Sequence, residues 1–157
     1  MMNELQFIKF APEYKSDFVR LNYDWLNEYF EIEPYDREVL ESCEQTIIAK
    51  GGHIFFTLLD HKVVGTFAYI KIEEGVYELS KMAVTKSLRS QGIGNQIMAF
   101  SIRFAEQHHW KKLILYSSRK LKNSIHLYRK YGYIEVPLEN NGPYKRGDIK
   151  MELILKK

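Results

Sequence analysis

Arg89-Ser90-Gln91-Gly92-Ile93-Gly94 is the stretch of the chain that decides the fold. It joins an apolar, strand-like run from Val76 to Val84 to a long, helix-like run that starts near Gly92. Two glycines at positions i and i+2 let the backbone turn tightly and approach a ligand without interference from side chains. The free N–H groups of the next helix's first turn point outward, at the positive end of the helix dipole. A strand, a basic glycine loop and a helix in this order predict a pyrophosphate site, and Arg89 adds a cation beside it.

Two common phosphate-binding loops do not fit this stretch. A Rossmann loop requires a third glycine or an alanine at position 97, where this chain has Ile97. A P-loop requires Gly-Lys followed by Ser or Thr, whereas Gly94 is followed by Asn95 and Gln96. The ligand therefore belongs to another class of phosphate compound.

The pattern Arg-x-x-Gly-x-Gly, after a strand ending in Ala83-Val84, resembles the acetyl-CoA loop of the GNAT superfamily of N-acetyltransferases. A second segment, from Ile125 to Tyr133, is similar to the late helix and the following strand of that family. Together the two segments cover about residues 63–136, which is roughly half of the chain. The resemblance implies one N-acetyltransferase domain over residues 1–157, built as an α/β sandwich. Its mixed, mostly antiparallel sheet would have about six to seven strands, about four flanking helices and a splayed strand pair that holds CoA.

Composition agrees with a packed domain of this size. The chain has 157 residues, of which 45% are hydrophobic and 14% aromatic, and this argues against disorder. Its net charge of +3 is too small to indicate a nucleic-acid partner. Cys43 is the only cysteine, so an intrachain disulfide or a cysteine-based metal site is excluded, and no metal is expected. Charged residues near the start argue against a signal peptide, and no apolar run reaches membrane-spanning length, so we expect a cytoplasmic protein.

Hydrophobic spacing and breaker residues predict the remaining elements. Asp60-His61 is expected to be a hairpin turn, and Asp36 is expected to cap a second helix that runs to about Lys50. Strands are predicted at 5–10, 53–59, 62–71, 76–84, 113–116, 133–136 and 150–155, and the other helices at 14–30, from near 92, and at 122–131.

The resemblance implies two catalytic side chains. Glu78, five residues before Ala83, would be the base that takes a proton from the amine. The alternative is a surface carboxylate paired with Lys81 or Lys71, and many members of the family use another base or water. Tyr128 on the late helix would protonate the departing thiolate, since a phenol can donate a proton. The alternative for Tyr128 is a core tyrosine on an amphipathic helix.

The resemblance also implies which residues bind the cofactor. Main-chain groups of Met82, Ala83 and Val84 would pair with the pantetheine arm, and one N–H would face the thioester oxygen. Many family members have an asparagine seven residues before the tyrosine, but here that position is Leu121. Either Asn123 substitutes for it or main-chain groups suffice. The loop residues expected at the pyrophosphate are Arg89, Gln91, Gly92, Ile93 and Gly94.

An acidic and aromatic segment predicts the acceptor side of the site. Trp25 and Glu33 fall in this segment, and such side chains suit a cationic amine. A helix that buries its aromatic residues and exposes its acids would show the same pattern. Tyr144, Arg146 and Asp148, which lead into the last strand, would close the pocket from the other side. The alternative for Arg146 is a solvated loop charge.

These expectations combine into a principal function and two alternatives. The principal one is transfer of an acetyl group from acetyl-CoA to a primary amine of a small molecule or a protein, without a nucleic-acid or membrane partner. The first alternative is a module that binds acyl-CoA without turnover. The second is a nucleic-acid or protein-binding domain, which the mildly basic composition favours but the lack of an aromatic-interleaved basic stripe does not. Exposed edge strands make a homodimer a further expectation.

Overall fold

The computed structural model describes residues 5–140 and 142–155, and this part of the chain forms seven strands and four α-helices. The strands are β1 (Gln6–Lys9), β2 (His53–Leu59), β3 (Lys62–Glu73), β4 (Val76–Val84), β5 (Lys112–Ser117), β6 (Ile134–Val136) and β7 (Ile149–Ile154). The helices are α1 (Lys15–Tyr29), α2 (Pro34–Glu41), α3 (Ile93–Gln107) and α4 (Lys122–Lys130). The predicted elements are therefore present, with bounds that differ by a few residues outside α2.

All seven strands belong to one sheet in the order β1-β2-β3-β4-β5-β7-β6. Every neighbouring pair is antiparallel except β4 and β5, which are parallel. Parallel neighbours require a crossover connection, and here α3 provides it. The expected mixed, mostly antiparallel sheet is thus confirmed, and its parallel pair lies at the centre.

The turn between β2 and β3 is the predicted hairpin. Asp60 has φ of 52° and His61 has φ of 65°. A two-residue hairpin loop of this kind places both central residues at positive φ, a conformation that aspartate tolerates better than most residues. The turn fixes the register in which Leu59 pairs with Lys62.

Helices cover both faces of the sheet because alternate strand residues are apolar on both faces. Phe55 packs in a cluster with α3 residues such as Phe104, whereas its neighbour Phe56 packs against Phe18 of α1. Each fully buried Phe contributes about 1.5–3 kcal/mol by removal from water. These two cores hold α1 and α3 on opposite sides of β4 and β5.

The second helix differs from its prediction at both ends. Helix α2 starts at Pro34, which suits the first position of a helix, and Glu33 rather than Asp36 is its N-cap residue. The carboxylate of Asp36 instead accepts a hydrogen bond from the backbone N–H of Glu33 at 2.9 Å, which completes a capping box. The helix ends at Glu41, and a π-helical segment, Glu44–Ile48, follows it. The prediction failed because glutamate is not among the favoured N-cap residues.

Within residues 5–140 and 142–155, no helix combines the length and apolar character needed to cross a membrane.

Candidate active site

A bulge interrupts strand β4 at its middle. Ser80 pairs with Ala68, and Ala83 pairs with Thr66, so Lys81 and Met82 lie opposite a single β3 residue. Lys81 has φ of 55°, in the left-handed region that a lysine rarely adopts. A bulge of this kind bends the strand and redirects its side chains. In this chain it turns the second half of β4 away from β5.

The divergence of β4 and β5 opens a cleft. The two strands pair from Val76 with Lys112 to Glu78 with Ile114. Beyond that point the cleft lies between them, and α1, α4 and the loop before β7 complete its walls. Lining residues include Trp25, Leu79, Ser80, Lys81, Met82, Leu115, Tyr116, Ser117, Ser118, Leu121, Tyr128, Tyr144 and Arg146. The predicted splayed strand pair is therefore present.

The glycine loop follows β4 and leads directly into α3. Gly92 has φ of 87° and precedes the first helical residue, Ile93. No side chain in the described ranges caps this helix, so the N–H groups of its first turn lack the partner that a cap would supply. A Cβ atom at Gly92 would have no other atom within 4 Å. The loop thus presents backbone donors to open space, which is the arrangement that an anion requires.

Tyr128 of α4 lines the cleft and is half-buried. Burial raises the pKa of its phenol to about 12, opposed by a hydrogen bond with Ser124. The hydroxyl therefore stays protonated at neutral pH and is able to donate a proton. Its ring lies near that of Tyr133, with 6.1 Å between centroids.

A buried polar network forms part of the cleft wall, where Ser80, Lys81 and Tyr144 line the cleft and Glu78 and Asp36 lie behind them. Glu78 is 4% exposed, and its Oε2 accepts a hydrogen bond from the Tyr144 hydroxyl at 3.3 Å. Lys81 Nζ donates to the same hydroxyl at 3.2 Å and lies 3.4 Å from Asp36 Oδ1. Ser80 Oγ is 3.3 Å from the Tyr144 hydroxyl. The bulge makes this network by turning Lys81 toward α2.

Arg146 completes the network on the acceptor side. Its two terminal nitrogens donate to the two oxygens of Asp36, each at 2.8 Å. Its Nη1 also donates to Glu33 Oε2 at 3.1 Å, and Glu33 Oε1 accepts from the backbone N–H of Lys145 at 3.1 Å. Such a bidentate pair fixes the guanidinium in one orientation. Arg146 is therefore a structural part of the wall.

Burial moves the pKa values of this network in opposite directions. It raises the pKa of Glu78, although the charge of Lys81 opposes the shift. It lowers the pKa of Lys81, although Asp36 opposes that shift. Burial also acts to raise the pKa of Asp36, but the Arg146 hydrogen bonds and the Lys81 charge outweigh it, so that this pKa is lowered. Asp36 is the fixed anion, and Glu78 is the carboxyl group that can gain a proton.

The model of the acetyltransferase (GNAT) family matches residues 19–133, well over half of the chain. The matched region contains the bulged strand, the glycine loop and α4. The chain belongs to the GNAT acetyltransferase family. No curated protein sequence is significantly similar to it.

Solved GNAT structures share the fold of this chain. An acetyltransferase of the GNAT family from Staphylococcus aureus Mu50 is 21% identical, with a TM-score of 0.85 over 98% of this chain and 100% of that one. PaiA N-acetyltransferase from Thermoplasma acidophilum, solved in complex with coenzyme A, is 16% identical with a TM-score of 0.78 over 96% and 99%. A ribosomal-protein-alanine N-acetyltransferase from Brucella melitensis is 22% identical with a TM-score of 0.76 over 96% and 99%. At these identities the likeness establishes the fold.

The structure of this GNAT protein brings several predicted site residues to one cleft. Met82, Tyr128, Trp25 and Arg146 all line it. Ala83 is buried and Val84 is half-buried on the same strand, while Gly92 and Gly94 lie at the start of α3. Ile93 contributes its side chain to the core, so its part in the loop is limited to its backbone.

Other predicted residues lie away from the cleft or have partners of their own. Asn123 is exposed on α4 and is not among the lining residues, whereas Leu121 is. Arg89 donates from Nη1 to both oxygens of Glu28 at 3.0 Å and from Nε to the carbonyl of Val84. Gln91 is exposed. Glu78 is buried behind the wall, so the interpretation of it as a surface carboxylate is wrong.

Sequence reasoning named Lys81 only as a surface partner for Glu78, and it placed Tyr144 in the loop that closes the pocket without assigning it a contact with Glu78. The signal for Lys81 was present, because a lysine in an otherwise apolar strand, three residues after a glutamate, is unusual in a core position. The position of Tyr144 depends on the loop conformation, which no spacing in the sequence reveals. No cluster of His, Cys, Asp or Glu in the described residues has the geometry to hold a metal ion.

Proposed function

We propose that this protein transfers the acetyl group of acetyl-CoA to a primary amine, which attacks the thioester directly. The observation that carries the proposal is the cleft itself. Tyr128 and Tyr144 line it, the buried carboxyl group of Glu78 lies behind it in contact with the Tyr144 hydroxyl, and β4, which forms one of its walls, leads into the open glycine loop at Gly92.

The residues present fit CoA. The open space at Gly92 and the unpaired N–H groups at the start of α3 suit a pyrophosphate. The β4 residues from Met82 to Val84 lie beyond the part of the strand that pairs with β5, and Met82 lines the cleft, so an extended pantetheine arm could pair with this free edge as an added strand. Acetyl-CoA supplies a thioester whose carbonyl carbon accepts the amine and whose sulfur leaves as a thiolate.

The chain's own groups meet the two proton requirements of this reaction. Tyr128 lines the cleft and its phenol is neutral at pH 7, so it holds a proton that a departing thiolate can take. On the other side, Glu78 is the proton acceptor for the amine, because its raised pKa brings its affinity for a proton closer to that of the amine. Backbone N–H groups at the bulge would stabilise the negative charge that develops on the carbonyl oxygen.

The acceptor enters beside Trp25 and Tyr144, which both line the cleft. An aromatic wall suits an amine with an apolar or cationic body. Two GNAT proteins of the same fold are described as a spermidine N-acetyltransferase chimera and a ribosomal-protein-alanine N-acetyltransferase. Polyamines and protein N-termini are therefore reasonable members of an acceptor panel for this chain.

The test has a binding arm and a turnover arm. Acetyl-CoA at a hundredfold excess over its dissociation constant should stabilise the fold by about 2.7 kcal/mol, which thermal unfolding detects. Release of free thiol from acetyl-CoA should then rise with at least one amine among spermidine, a peptide with N-terminal alanine, a lysine peptide and benzylamine. Binding without release for any amine would favour a module that binds acyl-CoA without turnover. No stabilisation at millimolar acetyl-CoA would refute the proposal.

A further inference from the structure

We propose that Tyr144 is the group that meets the acceptor amine, and that Glu78 receives the amine's proton only through the Tyr144 hydroxyl. This inference rests on the proposed function and adds a residue that the family resemblance did not supply. Tyr144 and Glu78 differ in their access to the cleft. Tyr144 lines the cleft, whereas Glu78 is buried and is not among the lining residues. The Tyr144 hydroxyl, 3.3 Å from Glu78 Oε2, bridges the carboxyl group and the cleft.

The groups around Tyr144 orient its hydroxyl hydrogen. Lys81 Nζ is 3.2 Å from the hydroxyl oxygen, and an ammonium group can only donate. The oxygen therefore accepts from Lys81, which leaves its own hydrogen for Glu78. Ser80 Oγ at 3.3 Å occupies the remaining side of the oxygen. An acceptor nitrogen that replaces the Ser80 contact would donate into the same oxygen.

Other charged and titratable groups packed against Tyr144 come from α2, β5 and its own loop. Arg146 lies over the Tyr144 ring at 4.6 Å, and Asp36 neutralises both Arg146 and Lys81. The rings of Tyr35 and Tyr116 lie 5.4 Å and 6.3 Å from that of Tyr144. Asp36 balances the cations nearest to the ring, so that Glu78 is the titratable carboxyl group in direct contact with the hydroxyl.

The proton transfer balances without a change in Tyr144. The ammonium form of the acceptor gives one proton to the Tyr144 oxygen while the Tyr144 proton passes to Glu78 Oε2. The neutral nitrogen then forms a bond to the thioester carbonyl carbon, the C–S bond breaks, and the thiolate takes a proton from Tyr128. The nitrogen carries a positive charge after this attack and gives up its second proton to water, from which the Tyr128 phenolate is reprotonated, so that a neutral amide and a neutral phenol remain. The net result at this end of the cleft is one proton moved from the amine to Glu78, with Tyr144 still a neutral phenol.

The first experiment compares rate against pH for Tyr144→Phe, Glu78→Gln and the double variant, with the best amine of the panel above. Each single variant should lower kcat/KM by about 10²-fold or more below the amine's pKa and recover toward pH 10, where the amine is already neutral. Because the two residues act in series, the double variant should lose no more than the worse single variant. Tyr35→Phe is the matched control, since it removes a hydroxyl from a ring that packs on Tyr144 but lies outside the cleft lining. It should change kcat/KM by less than about threefold at every pH.

A loss in Tyr144→Phe that is constant with pH and multiplies with that of Glu78→Gln would overturn the inference and leave Tyr144 as a packing residue. A second measurement does not need turnover. The ¹³C signal of the labelled Glu78 carboxyl group reports its titration midpoint, which should rise in Tyr144→Phe because a donor to the carboxylate is lost. If the titration midpoint of Glu78 is the same in Tyr144→Phe as in the unaltered protein, the inference about Tyr144 is also overturned. Failure of the proposed function would appear separately, as absence of acetyl-CoA binding or of thiol release by the unaltered protein.

Discussion

Lys81 Nζ lies 3.4 Å from Asp36 Oδ1, so that two residues 45 positions apart tie the bulge of β4 to the first turn of α2. Both side chains are buried, with 4% and 0% exposure. Asp36 also binds Arg146 through both oxygens, so that one carboxylate serves two cations. Arg146 has Glu33 as a further partner, whereas the ion pair of Lys81 is with Asp36. The pair is therefore asymmetric, and the loss of the carboxylate should cost more than the loss of the ammonium.

This asymmetry predicts that Asp36→Asn lowers the free energy of unfolding more than Lys81→Met does. Removal of Asp36 leaves the buried Lys81 without its ion pair and Arg146 with Glu33 alone, which costs about 3–5 kcal/mol. Removal of Lys81 leaves Asp36 paired with Arg146 and should cost about 1 kcal/mol or less. Urea unfolding of both variants at pH 7 measures the difference. Equal losses would show that Arg146 does not compensate Asp36.

Gly92→Val should abolish CoA binding without unfolding the protein. At φ of 87° any L side chain is strained, and a valine side chain would fill the open space before α3. Gly75→Val is the matched control, because Gly75 has φ of 79° in the turn between β3 and β4, where it contacts Lys111 and not the cleft. Both variants should lose about 1–2 kcal/mol of stability. Calorimetric titration with CoA should show binding in the Gly75 variant alone. A similar affinity for CoA in both variants would argue against a pyrophosphate site at Gly92.

Tyr128→Phe should keep acetyl-CoA affinity and lower kcat by about 10²-fold, since the variant lacks the proton that the thiolate takes. Tyr133→Phe is the control on the adjacent ring. The Tyr133 hydroxyl is buried and has no hydrogen-bond partner among the described residues, so its removal should leave both the rate and the stability nearly unchanged. Equal rates for Tyr128→Phe and the parent protein would leave Tyr128 as a packing residue.

How far the sequence predicts the site depends on whether a feature is local. The glycine loop, α4 and the hairpin at Asp60 were predictable, because their residue types and spacing determine their backbone. The splaying of β4 from β5 was implied by the family resemblance alone, and no spacing in the strand marks the bulge at Lys81. The contacts of Lys81 with Asp36 and of Tyr144 with Glu78 join distant segments, so they appear only when the sheet, α2 and the last loop are assembled.

Acid should destabilise the protein through His53. This side chain is half-buried among the rings of Phe104 and Trp110. Burial lowers the pKa of His53, and the nearby His108 and Lys9 lower it further. The unfolded chain therefore takes up this proton first, and stability falls as the pH drops below about 6.5 until the lowered folded pKa is reached.

His53→Phe keeps an aromatic ring and removes the titration, so below about pH 6.5 its unfolding free energy should depend less on pH than that of the parent protein. His126→Gln changes an exposed histidine and is the control, which should follow the parent protein. The measurement is urea unfolding at several pH values. Parallel pH profiles for His53→Phe and the parent protein would show that another group controls the acid loss.

Glu28 should compete with the phosphates of CoA for Arg89. Arg89 Nη1 is 3.0 Å from both Glu28 oxygens, and its side chain is 22% exposed at the edge of the glycine loop. If the guanidinium binds phosphate, removal of the competing carboxylate should tighten CoA binding. Exposed ion pairs are worth about 0.2–1 kcal/mol, so Glu28→Gln should lower the dissociation constant by about 1.5- to fivefold.

Removal of the arginine instead of the glutamate should change the affinity for CoA in the opposite direction. Arg89→Gln should weaken CoA binding and reduce its dependence on salt, because one positive charge near the phosphates is lost. Glu31→Gln removes an exposed carboxylate from the segment after α1 and is the control for net charge. Calorimetric titration with CoA at two salt concentrations distinguishes these cases. If Glu28→Gln and Glu31→Gln change the affinity equally, the effect is one of overall charge, and Arg89 serves only to hold α1 against the glycine loop.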